Sequence, residues 1–105
     1  MPQFDYYANP NPQSREWAPY IVDLQHEMLS SLGTRIMAPL VVANPSSEPT
    51  MQRLNPVIGI GDQEYFLSTT EIASVPVKEL STCRGNLSEH RNELLAAVDL
   101  LFKAV

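Results

Sequence analysis

The sequence is short of the residues that build covalent cross-links, metal centres and phosphate loops. It contains one cysteine, Cys83, so it can form no intramolecular disulfide and no cysteine cluster for a metal. It has no P-loop and no G-x-S-x-G turn, and Gly59–Gly61 lacks the third glycine of a dinucleotide fingerprint. Cysteine usage of this kind is typical of a reducing compartment, and we expect a cytoplasmic protein.

Positive charge and long apolar runs are also scarce. Seven Lys and Arg face twelve Asp and Glu, for a formal net charge of -5. Binding to phosphates depends on basic side chains that displace counterions, so this balance argues against direct nucleic-acid binding and against docking on anionic membranes. No stretch approaches the ~20 apolar residues of a membrane span, and prolines and Asp5 occupy the N-terminal region where a signal peptide would need its basic and apolar segments.

The residues capable of catalysis show no spacing that joins them. His26 and His90 could serve as bases and Cys83 as a nucleophile, but none lies in a recognisable catalytic turn. Carboxylates near residues 62–71 fit a solvated rim. We therefore expect no enzymatic activity, no metal and no cofactor, and the residues alone favour an intracellular binding protein.

What the sequence does contain is enough apolar residues, 44% of 105, for one folded domain spanning residues 1–105. Asn-Pro pairs divide it into short segments. Pro39 and Pro76 cannot donate to a sheet ladder and predict an edge or a bulge. Loops are predicted at Pro10–Pro19 and Asn44–Arg53. The predicted strands are Gln3–Tyr7, a half-buried Tyr20–Gln25, Thr34–Val42, a hairpin over Pro56–Thr69 that turns at Gly61-Asp62, and Ala73–Leu80.

A single helix is predicted from an N-cap at Ser88 to the last residues of the sequence. At 100° per residue its apolar stripe should face the core. Leu100 lies roughly 160° from the middle of this stripe, which indicates either a lone exposed leucine or a second apolar surface for another chain. Asp99 and Lys103 have the spacing of an i,i+4 ion pair. The stripe comprises Leu94, Leu95, Val98, Leu101, Phe102 and Val105. Short strands and one helix predict a small antiparallel barrel or sheet that carries a helix.

Four segments together resemble the CcdB toxin family, with near-constant register from Tyr20 onward and a longer first loop at Ala8–Pro19. They are VDLQ (22–25), GTRIMAPL (33–40), PVIGIGDQEYFLSTTEIASVPV (56–77) and the final LSEHRNELLAAVDLLFKAV. The resemblance implies a mainly β, α+β fold: an SH3-like barrel of antiparallel strands with a small additional sheet and a C-terminal helix. It also implies a homodimeric toxin of a plasmid or chromosomal toxin–antitoxin pair. Such a toxin binds the DNA gyrase A subunit, traps its cleaved-DNA complex and is neutralised by a CcdA-like antitoxin.

The same resemblance implies a gyrase-binding set. It consists of Met28, Leu29, Asp99, Lys103, Ala104 and Val105. The best-known member of the family ends in Trp-Gly-Ile, with the tryptophan stacked on a gyrase arginine, whereas this chain has Lys-Ala-Val. Lys103 cannot stack and is like-charged with arginine, at a cost of roughly 1 kcal/mol even in water.

Two alternatives follow from these departures. A degenerate homologue would retain only antitoxin binding and autoregulation, which Lys103 favours. An endoribonuclease like MazF would share the barrel and the dimer, but it would need a basic groove for single-stranded RNA, which the net charge disfavours.

Overall fold

A computed structural model describes residues 2–43 and 51–103. Seven strands and one α-helix form its regular structure, and short 3-10 turns lie at Glu27–Leu29, Thr69–Glu71, Val77–Glu79 and Ser88–His90. The strands are β1 (Asp5–Ala8), β2 (Tyr20–Asp23), β3 (Thr34–Val42), β4 (Val57–Ile60), β5 (Gln63–Leu67), β6 (Ala73–Pro76) and β7 (Gly85–Asn86), and the helix is α1 (Arg91–Lys103). None of the helices in the described ranges has the length and apolar character to cross a membrane.

The strands form one curled antiparallel sheet in the order β4-β5-β3-β2-β1-β7, with β6 paired to β3. The half-barrel with a C-terminal helix agrees with the predicted SH3-like fold. The concave face and α1 enclose the main core. Its fully buried members are Phe4, Val22, Ala38, Leu40, Ile58, Leu67 and Leu94.

The expected small additional sheet is not separate, because β3 belongs to both parts. Its first half, Thr34–Met37, pairs with β6, and its last residues, Leu40–Val42, pair with β5. Pro39 falls between the two ladders, where its carbonyl accepts a hydrogen bond from the Ser68 amide. In an extended strand the nitrogen of a residue faces the same side as its carbonyl. The nitrogen of Pro39 therefore faces the gap between the β5 and β6 ladders, and its missing N–H removes no hydrogen bond to β2. Pro39 is thus tolerated in the central strand at an interruption, not at a sheet edge.

The β4–β5 hairpin is confirmed. Ile60 pairs with Gln63 across the two-residue turn, and Gly61 has a φ of 61°. A positive φ at the first turn position is the feature of the tight hairpin turns that suit strand twist, and glycine adopts it without steric cost.

Three other strand predictions need correction. The first strand begins at Asp5, because Phe4 before it has a φ of 74° and interrupts the extended backbone. The predicted strand Ala73–Leu80 ends at Pro76, and a 3-10 turn follows. β2 is buried on both faces instead of one, since Ile21 joins a second small core and Asp23 is neutralised by an ion pair. The predicted loop at Asn44–Arg53 lies largely outside the described residues.

The helix is rotated relative to the prediction. Leu94 and Ala97 are its fully buried residues, whereas Phe102 is 71% exposed. Relative to the middle of that pair, Phe102 lies roughly 110° away and Leu100 roughly 90° on the opposite flank. The small Ala97 lets the helix approach its neighbours closely, so the buried seam shifts toward it and Phe102 turns outward. Ser88 also does not cap the helix directly. It is the first residue of a 3-10 turn, and its own amide donates to Asn86 Oδ1.

Candidate functional site

Four of the six predicted binding residues lie in the described part of the chain, on two elements. Met28 and Leu29 lie in the 3-10 turn Glu27–Leu29, which contains no buried residue, and Met28 is 84% exposed. Asp99 and Lys103 are exposed on α1. Ala104 and Val105 lie outside the described residues.

An apolar cavity of about 590 Å³ connects the turn with the helix. Leu29 lines it from the turn, and Val98 and Phe102 line it from the helix. From the sheet, Ile36 of β3 and Ala73 and Ser74 of β6 line it, together with Ile72 just before β6. The lining residues are Leu24, Gln25, His26, Leu29, Ile36, Ile72, Ala73, Ser74, Val98 and Phe102. Apart from the imidazole of His26, none of these side chains can carry a charge.

Helical periodicity predicted that Phe102 faces the core, whereas in the structure it is exposed and lines this cavity. It lies one helical turn after Val98, so both side chains can reach the same cavity. The signal in the sequence was weak: Ala97 lies on the flank of the predicted stripe and extends the apolar surface away from Phe102, which leaves Phe102 at its margin. Ile36 was missed for a similar reason, since alternation along β3 does not show that its face remains partly open.

The turn that carries Met28 and Leu29 is held by side chains on each side of it. The His26 imidazole accepts a hydrogen bond from the Met28 amide through Nδ1, at 3.0 Å. The buried Gln25 donates from Nε2 to the Leu29 carbonyl at 3.3 Å and accepts from the Ile36 amide at 2.9 Å. The turn is therefore tied to β3 as well as capped locally.

Behind Gln25 lies a fully buried ion pair. Arg35 Nε and Nη2 donate to the two carboxylate oxygens of Asp23 at 2.8 and 3.1 Å, and Nη2 also donates to the Gln25 carbonyl at 2.7 Å. Burial raises the pKa of Asp23, opposed by the hydrogen bonds from Arg35 and from the Gln25 amide. The pair anchors the end of β2 from which the turn departs.

The predicted pairing of Asp99 with Lys103 is not found. Among the described residues, an ion pair joins Asp23 to Arg35, and the His90 ring lies 3.7 Å from a carboxylate oxygen of Glu89 and 3.3 Å from one of Glu93. Both helix charges are exposed and can meet groups of another molecule. Lone solvated charges cost little, and an i,i+4 pair would contribute only ~0.3–0.5 kcal/mol.

Leu100 is half-buried instead of forming an open second surface. It lines a smaller cavity of about 280 Å³ together with Ala96 and residues of the segment before β4, including Arg53 and Pro56. The surplus apolar surface of α1 is therefore at Phe102 and not at Leu100.

The described residues give no geometry for covalent or metal chemistry. His26, His90 and Cys83 lie on separate elements, and no described group of three or more His, Cys, Asp or Glu could hold a metal ion. Desolvation raises the pKa of Cys83, whose thiol donates to the Gly85 carbonyl at 3.2 Å. A raised pKa lowers the thiolate fraction and does not suit a nucleophile.

The fold and this surface define a small β protein with a C-terminal helix, in which three exposed apolar side chains, those of Leu29, Ile36 and Phe102, line one cavity. Exposed apolar patches of this kind are typical of surfaces that bind other proteins. The sequence matches the family described as CcdB protein over residues 3–104, and the chain belongs to that family. Membership indicates a toxin of a toxin–antitoxin system.

Proposed function

We propose that the protein is a gyrase-directed toxin, which binds the DNA gyrase A subunit, traps the cleaved-DNA complex and is neutralised by a CcdA-like antitoxin. The supporting observation is the apolar surface around the 590 Å³ cavity, where Leu29 and Phe102 are 48% and 71% exposed. Covering a large apolar side chain contributes about 1.5–3 kcal/mol, so this surface can supply much of the affinity for a protein partner.

The contact residues of this proposal are Met28 and Leu29 on the turn, Asp99 and Lys103 on α1, and Ala104 and Val105 beyond it. Exposed Asp99 on a chain of net charge -5 suits a basic target, such as the surface of a protein that handles DNA. The toxin itself makes and breaks no bond in this proposal, and it acts in the cytoplasm, where gyrase is found.

We also propose that the active form is a homodimer. The family resemblance supports a dimer, and the exposed Leu32, just before β3, adds apolar area that does not line the cavity. Sedimentation equilibrium at micromolar concentration is expected to give twice the 11.7 kDa chain mass. A monomer at that concentration would contradict the dimer without affecting the fold.

Binding to a gyrase A fragment and stabilisation of cleaved DNA test the function directly. Leu29→Asp is expected to weaken fragment binding at least tenfold, because it places a charge where apolar contact is needed. Met51→Asp is the matched control: Met51 is 55% exposed but does not line the cavity, and this variant should bind like the wild type.

Val105→Asp is expected to abolish growth inhibition while the dimer stays folded. If the wild-type protein at micromolar concentration neither binds the fragment nor stabilises cleaved DNA, the gyrase function is wrong. Binding to a cognate antitoxin without any effect on growth would then support the degenerate homologue.

A further inference from the structure

We propose that His26 is a positioning residue for the target-binding surface: its neutral imidazole holds the Glu27–Leu29 turn in the binding geometry, and protonation of the ring releases it. The role of the turn rests on the proposed function. The role of His26 in ordering the turn can be measured without any partner.

The hydrogen bond at the start of the turn settles the state of the ring. The Met28 amide can only donate, so Nδ1 of His26, 3.0 Å away, must be unprotonated and accept. The proton of the neutral ring is therefore on Nε2. A doubly protonated imidazolium has two donors and no acceptor, so it cannot make this contact. Imidazole is the side chain whose charge ordinarily changes between about pH 5 and 8.

The remaining contacts of the turn do not depend on this ring. The Leu29 amide donates to the His26 carbonyl at 3.0 Å, and the Ser30 amide donates to the Glu27 carbonyl at 3.0 Å. Gln25, which does not titrate, holds the Leu29 carbonyl from the β3 side. Protonation should therefore free Met28 and loosen the turn while the sheet behind it stays intact.

Within residues 2–43 and 51–103, no carboxylate forms an ion pair with His26 that would compensate for a positive ring. On its own turn the nearest acidic residue along the chain is Glu27, which is exposed. The residues that line the cavity from β3, from residues 72–74 and from α1 carry no charge. Arg35 of β3 is paired with the buried Asp23, and neither Asp99 nor Lys103 of α1 lines the cavity. Glu71, just before Ile72, accepts a hydrogen bond from Ser68. The main consequence of protonation at this site is thus the loss of the cap.

Two substitutions separate the effect of the hydrogen-bond acceptor at position 26 from the effect of the charge on the imidazole ring. His26→Asn keeps a side-chain acceptor of the type preferred at N-caps and does not titrate, whereas His26→Ala removes the acceptor at every pH. Position 26 is exposed, so both variants are expected to fold, and thermal unfolding should confirm this.

The first measurement uses the free protein. The imidazole ¹⁵N shifts of the wild type at about pH 8 should show the Nε2–H tautomer. The protection factor of the Met28 amide, its slowing relative to an unstructured amide at the same pH, should be about fivefold lower at about pH 5.5 than at about pH 8. His26→Asn should keep Met28 protected at both pH values, and His26→Ala at neither. Equal protection of Met28 in the wild type and His26→Ala would overturn the proposal.

The second measurement is the affinity for a gyrase A fragment over the same pH range. The ratio of the wild-type affinity to that of His26→Asn should fall about fivefold between pH 8 and pH 5.5, and the wild type should exceed His26→Ala at pH 8 by about the same factor. Titration of the fragment itself cancels, because it is common to all three proteins. Identical pH profiles for the wild type and His26→Asn would contradict the role of the ring. If no form binds at any pH, the gyrase function fails and the amide-exchange result alone decides the role of His26.

Discussion

Arg35 and Asp23 make a two-point contact in which neither side chain is exposed to solvent, with Nε 2.8 Å from Oδ2 and Nη2 3.1 Å from Oδ1. The contact lies where β2 ends and β3 begins to pair with β6. Arg35 also donates to the Gln25 carbonyl, so the pair supports the residue that ties the binding turn to the sheet. A buried ion pair thus lies directly behind the turn that we propose to bind the target.

Arg35→Met is expected to destabilise the protein by about 3–5 kcal/mol at neutral pH, because it leaves the Asp23 carboxylate buried without its partner. The loss should be smaller near pH 4, where protonation removes the uncompensated charge. Urea unfolding at both pH values measures the difference. Glu89→Gln removes an exposed partner of His90 and should change stability by less than about 1 kcal/mol. Equal effects of the two substitutions would contradict a special role for the buried pair.

Tyr7 predicts a loss of stability at alkaline pH. Burial, with a smaller contribution from Asp5, raises its pKa to about 12 from 10.0. Because the unfolded chain ionises first, the contribution of Tyr7 to stability is complete below pH 10 and is lost as the pH rises from 10 toward 12. The unfolding free energy should therefore fall over this interval, and Tyr7→Phe should make the fall less steep.

Absorbance of tyrosinate provides the control for Tyr7. One of the four tyrosines should ionise well after the first, and this late step should disappear in Tyr7→Phe. Some slope should remain in the variant, since burial also raises the pKa of Tyr6 and Tyr65. Simultaneous ionisation of all four near pH 10 would show that Tyr7 is not buried as described.

Position 85 requires glycine because the ring of Tyr6 lies too close for a side chain, and not because of its backbone angle. A Cβ at this position would lie 2.8 Å from Cε1 of Tyr6. Tyr6 packs edge-to-face on Tyr20, which packs in the same way on Tyr65, with centroids 5.3 and 5.6 Å apart. Gly85→Ala should therefore displace the ring and destabilise the protein by about 1–3 kcal/mol in thermal or urea unfolding.

Gly33 supplies the comparison for Gly85. A Cβ on Gly33 meets no atom within 4 Å, so Gly33→Ala should be neutral or slightly stabilising. If both substitutions had the same effect, the contact with Tyr6 would not explain the glycine at position 85.

The sequence predicts well those features that local chemistry determines. Gly61 allows the hairpin turn, β3 begins and ends at the predicted residues, and the helix is found in the predicted segment. Pro76 lies in an edge strand as predicted, since β6 pairs with β3 alone in the described sheet, but the strand ends at Pro76 instead of continuing to Leu80.

Features set by packing between distant elements were not predicted. Alternation in β2 placed Asp23 on the solvent face. In the structure Asp23 is buried and is neutralised by Arg35, twelve residues later, and no local pattern in the sequence shows this pairing. The helix stripe was defined by large side chains, and the structure instead centres it near Ala97, whose small size is what permits close contact. The candidate site was therefore only half predictable: Leu29 came from the family resemblance, while its neighbour in space, Phe102, required the rotation of the helix.

Phe102→Ser tests whether this ring serves binding or folding. Because the side chain is 71% exposed, its loss should change the unfolding free energy by less than about 1 kcal/mol. Its position in the cavity beside Leu29 predicts at least a tenfold loss of affinity for the gyrase A fragment, equivalent to about 1.4 kcal/mol. Titration calorimetry and urea unfolding on the same preparation measure the two effects.

Leu94→Ala gives the opposite expectation on the same helix. Leu94 has no exposed surface, so its truncation should cost about 2–5 kcal/mol of stability, with affinity reduced only through the unfolded fraction. A large loss of stability in Phe102→Ser would show that the ring is covered in the folded protein, which would place it in a dimer interface if the loss depends on protein concentration. Unchanged stability together with unchanged affinity would remove Phe102 from the target-binding surface and leave the turn at Met28 and Leu29 as its main element.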